Sequence, residues 1–234
     1  MNTALLTVDD VPSRNTPALV DYLTEKGIPA IFFVTGCQVD AFREEVLYAI
    51  RRGIILGNHS LNHPAFSTLT MAECITEIEG CEQVLDRLYR EAGIPRLYRP
   101  FRFPYGDKGG DNKDALQQFL RARGFDKVDD SHIPCPWWRE SGLDQDVDTF
   151  WSFDFEEYRL SDDPSFTLAD IRRKMHDPAP AQGAALFGAG HRNILLMHDH
   201  DSTEAVLPRY YQVLLDELLA NGVTFEEPRF IHPA

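Results

Sequence analysis

The sequence predicts an α/β protein: a parallel sheet with crossover helices, open or closed into a barrel, with residues 1–234 forming one domain. Three observations predict it. Apolar runs rich in β-branched and aromatic residues alternate with amphipathic helical segments about seven times. Chemically active polar residues recur at the ends of successive apolar runs, as they do at the rim of a parallel sheet. No linker, composition shift, internal repeat or low-complexity tract divides the chain.

The elements follow in order. "TALLTVDD" is an apolar run ending in acids and reads as a strand. "TPALVDYLTEKG" has helical periodicity, with Thr16 as N-cap, Pro17 at the first helical position and Gly27 past the end. "PAIFFVTG" reads as a buried strand. "VDAFREEVLYAIRRG" is an amphipathic helix closed by glycine, "IILGN" a strand, and "TMAECITEIEGCEQVLDRLYREAG" a long helix. "LYRPFRFPYGD" reads as a strand running into a loop, "NKDALQQFLRARG" as a helix and "FDKVDD" as a short strand. "DTFWSFD" and "NILLMHD" read as strands, with the helix "TLADIRRKMHD" between them. "EAVLPRYYQVLLDELLANG" is the last helix, kinked at Pro208, before "VTF". Residues 131–145 and 177–190 break the rhythm and read as long loops, which in a compact α/β domain often carry function.

The chain can bury a substantial core: 43% of its residues are hydrophobic and 11% aromatic. A net charge of -14 excludes nucleic acid and anionic membrane surfaces as expected partners, because no basic stripe can neutralise phosphates. The charge suits a neutral or cationic substrate. No apolar run approaches a membrane span in length. The first ten residues show neither a basic segment nor a long apolar stretch before a cleavage-type site. A cytoplasmic protein is therefore expected, or an exported one if a leader precedes this sequence. Cys37, Cys74, Cys81 and Cys135 form no CxxC pair and read as free thiols.

The polar residues at the strand ends form a chemically coherent set. The first run ends in Asp9-Asp10, and the third leads into "GNHSLNH", which sets His59 and His63 four apart. Imidazoles at that spacing share a face if the backbone makes a helical turn. A later run ends near Arg102 and Tyr105, another at Asp154, and "NILLMHD" ends in His198-Asp199. One carboxylate and two imidazoles give a divalent ion three protein ligands and leave positions open, the arrangement of catalytic zinc. A second carboxylate can take a proton from water, a histidine opposite can protonate a leaving group, and an arginine can aim the base. Such a set can hydrolyse an amide or ester.

The chain resembles the polysaccharide deacetylases of the NodB-homology group, carbohydrate esterase family 4. Five motifs occur in the family's order: "TVDDV" for T-F-D-D-G, "HSLNH" for H-S/T-x-x-H, "RFPY" for R-x-P-Y, "DFEEY" for D-x-x-D-W, and "LMH" for L-x-H. The resemblance implies a distorted (β/α) barrel of about seven parallel strands. It implies Asp9 as general base, Asp10, His59 and His63 as ligands of one divalent ion (zinc, with cobalt as an alternative), and Arg102 orienting Asp9. It further implies an oxyanion contact from the backbone N–H of Tyr105, His198 as general acid, and Glu157, with Asp154 beside it, holding His198.

Two departures stand out. Val11 replaces the family glycine, and a β-branched residue excludes positive φ, so the chain after Asp10 must take a different path. Glu157 and Tyr158 replace aspartate and tryptophan, and the longer glutamate changes the reach to His198. Tyr158, Trp137 and Trp138 are candidate substrate contacts, the two tryptophans either stacking on sugar rings or pinning their loop to the core. The leading function is a metal-dependent hydrolase removing N-acetyl from an amino sugar in a poly- or oligosaccharide. The alternatives are hydrolysis of a small linear or cyclic amide, and a catalytically inactive carbohydrate-binding protein.

Overall fold

The structure, a computed structural model, describes residues 2–181, 183–187, 190 and 192–231. Its strands are β1 (Asn2–Val11), β2 (Ala30–Val34), β3 (Ile55–Asn58), β4 (Lys127–Val128), β5 (Phe153–Asp154), β6 (Arg192–His198), β7 (Val223–Phe225) and β8 (Phe230–Ile231). The helices are α1 (Thr16–Lys26), α2 (Arg43–Arg51), α3 (Met71–Ala92), α4 (Lys113–Ala122), α5 (Pro136–Glu140), α6 (Arg159–Asp162), α7 (Leu168–Met175), α8 (Asp201–Val206) and α9 (Tyr210–Ala220). Six strands form one parallel sheet in the order β3-β2-β1-β6-β5, with β7 also pairing with β1.

Irregular segments carry the ring from β3 round to β5, and this makes the barrel a distorted one. Asn58 N–H donates to the Pro100 carbonyl and Arg102 N–H to the Asn58 carbonyl. Thr149 N–H then donates to the Phe101 carbonyl, and Ser152 N–H to the Ile194 carbonyl. The expected strand at "LYRPFRF" is thus reduced to a single bridge between Asn58 and Phe101. The expected strand "FDKVDD" lies off the barrel: β4 pairs antiparallel with β8 in a two-stranded sheet. Its two paired residues supply one small apolar side chain, and Lys127 is drawn instead to Asp130 at 2.9 Å.

Period-2 alternation decides what faces what. Leu6, Val8, Phe32, Val34, Leu195 and Met197 belong to the main core, with Leu19, Leu23, Leu214 and Leu218 of α1 and α9. Leu5, Ile31, Phe33 and Ile194 belong to a separate cluster inside the barrel. Asp9 and His198 continue that inward set at the C-terminal ends of their strands. The last helical segment is broken rather than kinked. Pro208 separates α8 from α9, and Arg209 sits at φ 58°. Residues 131–145, expected as loop, contain α5; the 177–190 loop includes 182, 188 and 189, which lie outside the described residues. No described helix is long and apolar enough to cross a membrane.

Candidate active site

A regular strand would send Asp9 and Asp10 to opposite faces. The β1–β2 register slips between Val8 and Val11, and Asp10 takes φ 60°. This bulge turns both carboxylates into the cavity. The departure at Val11 is absorbed here: the positive φ falls on Asp10, and Val11 stays in register with Val34, its carbonyl accepting from Thr35 N–H.

"GNHSLNH" does not form a helical turn. Beyond Asn58 the chain is irregular, with Ser60 at φ 68° and His63 at φ 58°. Those two conformations, each costing roughly 1–3 kcal/mol, bring the imidazole centroids to 4.9 Å. Polar residues of the same stretch offset that cost. Asn58 Oδ1 accepts from Ser60 N–H at 2.8 Å, and Ser60 Oγ accepts from His63 N–H at 3.0 Å. Asn58 is itself held by the Ile78 carbonyl and Glu82 Oε1, both at 2.9 Å. Gly57 is required because a Cβ there would lie 2.6 Å from the Phe33 ring.

His59 is buried, and its Nδ1–H donates to the Arg102 carbonyl at 2.9 Å. That tautomer leaves Nε2 with a lone pair facing the aspartates. Burial lowers the His59 pKa, which favours the neutral, ligating form. Arg102 is buried too. Its Nη1 donates to Asp9 Oδ1 at 2.7 Å and Thr7 Oγ1 at 2.8 Å, and its Nε donates to the Thr149 carbonyl at 2.9 Å. The guanidinium stacks on Phe33, 4.4 Å from the ring centroid, so Asp9 faces a fixed cation. Tyr105, at φ 59°, sets its ring 4.6 Å from His63 and its hydroxyl 3.1 Å from His63 Nδ1.

Across the cavity the register of β1 and β6 pairs Asp9 with His198. His198 Nδ1 meets Glu157 Oε1 at 3.1 Å, so the longer glutamate does make the contact, and Nε2 is left to the cavity. Burial pulls the His198 pKa down, but the Glu157 charge and hydrogen bond overcome it and raise it to about 10. Asp154 is pushed up to about 6 by burial, which outweighs the opposing charge of His198. Tyr158 sets its ring edge-on to His198 at 4.9 Å. Asp199 faces away, accepting from the Ser13 and Thr16 hydroxyls.

Asp9, Asp10, His59, His63, Tyr105, Asp154, Tyr158 and His198 line one cavity of about 520 Å³, together with Trp151, Asp162, Leu196 and His200. None of the last four was assigned to the site from the sequence. Leu196 and His200 are placed there by the alternation that places His198; Trp151 and Asp162 had no signal beyond their residue type. Trp138 is not at the cavity. It is buried, in one cluster with Leu5 and Phe33, and its indole N–H donates to Asp130 at 2.9 Å. Trp137 lines an adjoining cavity, which meets the first at Trp151 and Asp154.

The triad fits a divalent ion. Asp10 Oδ1 lies 3.1 Å from His63 Nε2 and 3.7 Å from His59 Nε2. Ligands about 2.0–2.1 Å from a tetrahedral ion sit about 3.4 Å apart, between those two values. Although burial raises the Asp10 pKa, the three imidazoles around it hold it well below the usual carboxylate range, so the ligand is anionic.

Residues 1–125 match the model of the polysaccharide deacetylase family. Chitin deacetylase 1 of Cryptococcus neoformans is 39% identical over 104 residues, 44% of this chain and 21% of that protein. A peptidoglycan-N-acetylglucosamine deacetylase of Bacillus cereus is 33% identical over 103 residues, 44% of this chain and 36% of that protein. The chain thus spans well under two thirds of these relatives. The fold matches the polysaccharide deacetylase Bc1974 from Bacillus cereus with a TM-score of 0.65, at 22% identity, over 97% of this chain and 92% of that one.

Proposed function

The chain belongs to the polysaccharide deacetylase family, and we propose that it hydrolyses the N-acetyl group of an amino sugar in a poly- or oligosaccharide, using a divalent ion, zinc or cobalt. One observation carries the reading. Asp9, the Asp10–His59–His63 triad and the Glu157-held His198 converge on one cavity from strand ends nearly two hundred residues apart. The relatives named as chitin and peptidoglycan deacetylases support the substrate class.

Asp10, His59 and His63 would hold the ion. Held there, a divalent ion would supply Lewis acidity towards the acetyl carbonyl and the attacking water. Asp9, aimed by Arg102, accepts the proton of the attacking water. The resemblance assigns the backbone N–H of Tyr105 to the developing oxyanion. His198, kept protonated by Glu157, gives its proton to the departing nitrogen as the C–N bond breaks, yielding acetate and a free amine. Tyr158 and Leu196 line the same cavity.

The test is acetate release from chitooligosaccharides, acetylated xylan and small cyclic amides, by metal-stripped and by zinc- or cobalt-loaded protein. Metal-dependent release from the chitooligosaccharides is expected. Equal release by the stripped protein, or turnover of the cyclic amides alone, would sink the reading.

A further inference from the structure

The geometry points to His200 as a positioning residue that fixes Asp10 for coordination through a single oxygen; the inference rests on the metal reading above. The two oxygens of Asp10 are divided between tasks. Oδ1 faces His63 Nε2 at 3.1 Å and His59 Nε2 at 3.7 Å. Oδ2 accepts from His200 Nε2 at 2.8 Å. A carboxylate with one oxygen free can rotate about its terminal torsion or bind an ion through both atoms. With Oδ2 engaged, Oδ1 alone is presented. Hydrogen-bond partners of a ligating carboxylate orient it in this way and tune the affinity of the site.

His200 is carried to Asp10 by a tightly held backbone. β6 ends at His198, but His200 keeps extended dihedrals, φ -116° and ψ 126°. It therefore returns to the face of His198, and the two rings lie 5.5 Å apart. Between them Asp199 is anchored on the opposite face by the Ser13 and Thr16 hydroxyls, and its N–H donates to the Asp9 carbonyl. On the far side the His200 carbonyl accepts from Glu204 N–H in the first turn of α8. The imidazole retains 30% exposure, so packing accounts for little of its placement; its ring hydrogen bond goes to Asp10.

The experiment titrates zinc into metal-stripped wild-type protein, His200→Phe, His200→Gln and His59→Ala, in competition with a chromogenic chelator. Thermal midpoints of the stripped proteins are measured alongside. His200→Phe keeps a ring but loses the donor and should weaken zinc binding about 10–100-fold. His200→Gln places an amide N–H at a similar reach and should recover most of that loss, with the stripped midpoints of both His200 variants unchanged. Zinc binding by His200→Phe equal to wild type, while His59→Ala loses zinc, overturns the role of His200 and leaves the metal site standing. No zinc binding by wild type overturns both readings. Equal losses in Phe and Gln variants with lowered midpoints make His200 a packing residue and overturn the positioning role.

Discussion

Asp10, His59 and His63 meet because the backbone abandons regular geometry, whereas Asp9 and His198 meet because it keeps that geometry. On the triad side Asp10, Ser60, His63 and Tyr105 all have positive φ, and side chains such as Asn58 and Ser60 hold the irregular path. On the acid side a regular parallel register sets Asp9 beside His198, and one carboxylate, Glu157, does the rest. The difference teaches where each half is vulnerable. The triad depends on a scaffold of non-ligating residues; the acid depends on a single charge.

The largest effect should come from removing a ligand. His59→Ala should abolish stoichiometric zinc binding and lower kcat/KM by about 10³-fold or more, the several kcal/mol that Lewis-acid stabilisation supplies. Metal analysis and acetate release check this together. If the scaffold matters as described, Asn58→Ala should also weaken zinc affinity, though Asn58 touches no metal. Unchanged affinity in Asn58→Ala would break the contrast between the two halves.

Next come the proton-transfer groups. Asp9→Asn and His198→Ala should each lower kcat by about 10²–10⁴-fold while zinc binding persists. Loss of metal in His198→Ala would mean that the acid and the triad are not separately built.

The two halves also differ in how they read from the sequence. The motif order located Asp9, Asp10, His59, His63, Arg102 and His198, and the β–α alternation placed them at one rim. His59 and His63 share the site without the helical turn that would have brought them to one face, because spacing alone cannot distinguish a helical turn from two left-handed residues held by Asn58 and Ser60. The path at Val11 was legible only as an incompatibility, and its resolution by a bulge at Asp10 needed the register with β2. The short strand expected at "FDKVDD" forms but stays off the barrel sheet, because two paired residues with one apolar side chain cannot compete for a place there. His200 was passed over because whether the alternation of β6 continues beyond His198 is set by the anchoring of Asp199, a contact between residues far apart in sequence.

A sharper test of the single-charge half is Glu157→Gln. His198 is raised to about 10 because Glu157 overcomes the burial that would lower it. Without that charge, only the smaller pull of Asp154 and Asp10 opposes burial, and the imidazolium loses its proton at lower pH. In the proposed mechanism the protonated form is the competent acid, so activity should fall on the alkaline side at lower pH than in wild type, with the acid limb unmoved. The pH profile of kcat/KM reads it. An unmoved alkaline limb would show that Glu157 only packs.

The smallest effect on catalysis should come from the tryptophan pair, which separates support of the site from the site itself. Trp138 is buried behind the inward faces of the strands and donates to Asp130, while Trp137 is half-buried and donates to the Gly183 carbonyl at 3.1 Å. Trp138→Ala should destabilise the fold by about 3–5 kcal/mol, the usual cost of emptying a large aromatic site. Trp137→Ala should cost only about 0.5–1.5 kcal/mol, the worth of its one hydrogen bond. Because neither ring lines the cavity of His59 and His198, kcat at a temperature where both variants are folded should stay near wild type. KM for short chitooligosaccharides should be unmoved in both. Should Trp137→Ala raise KM while Trp138→Ala does not, the adjoining cavity takes part in holding the sugar chain, and the site extends past Trp151 towards α5.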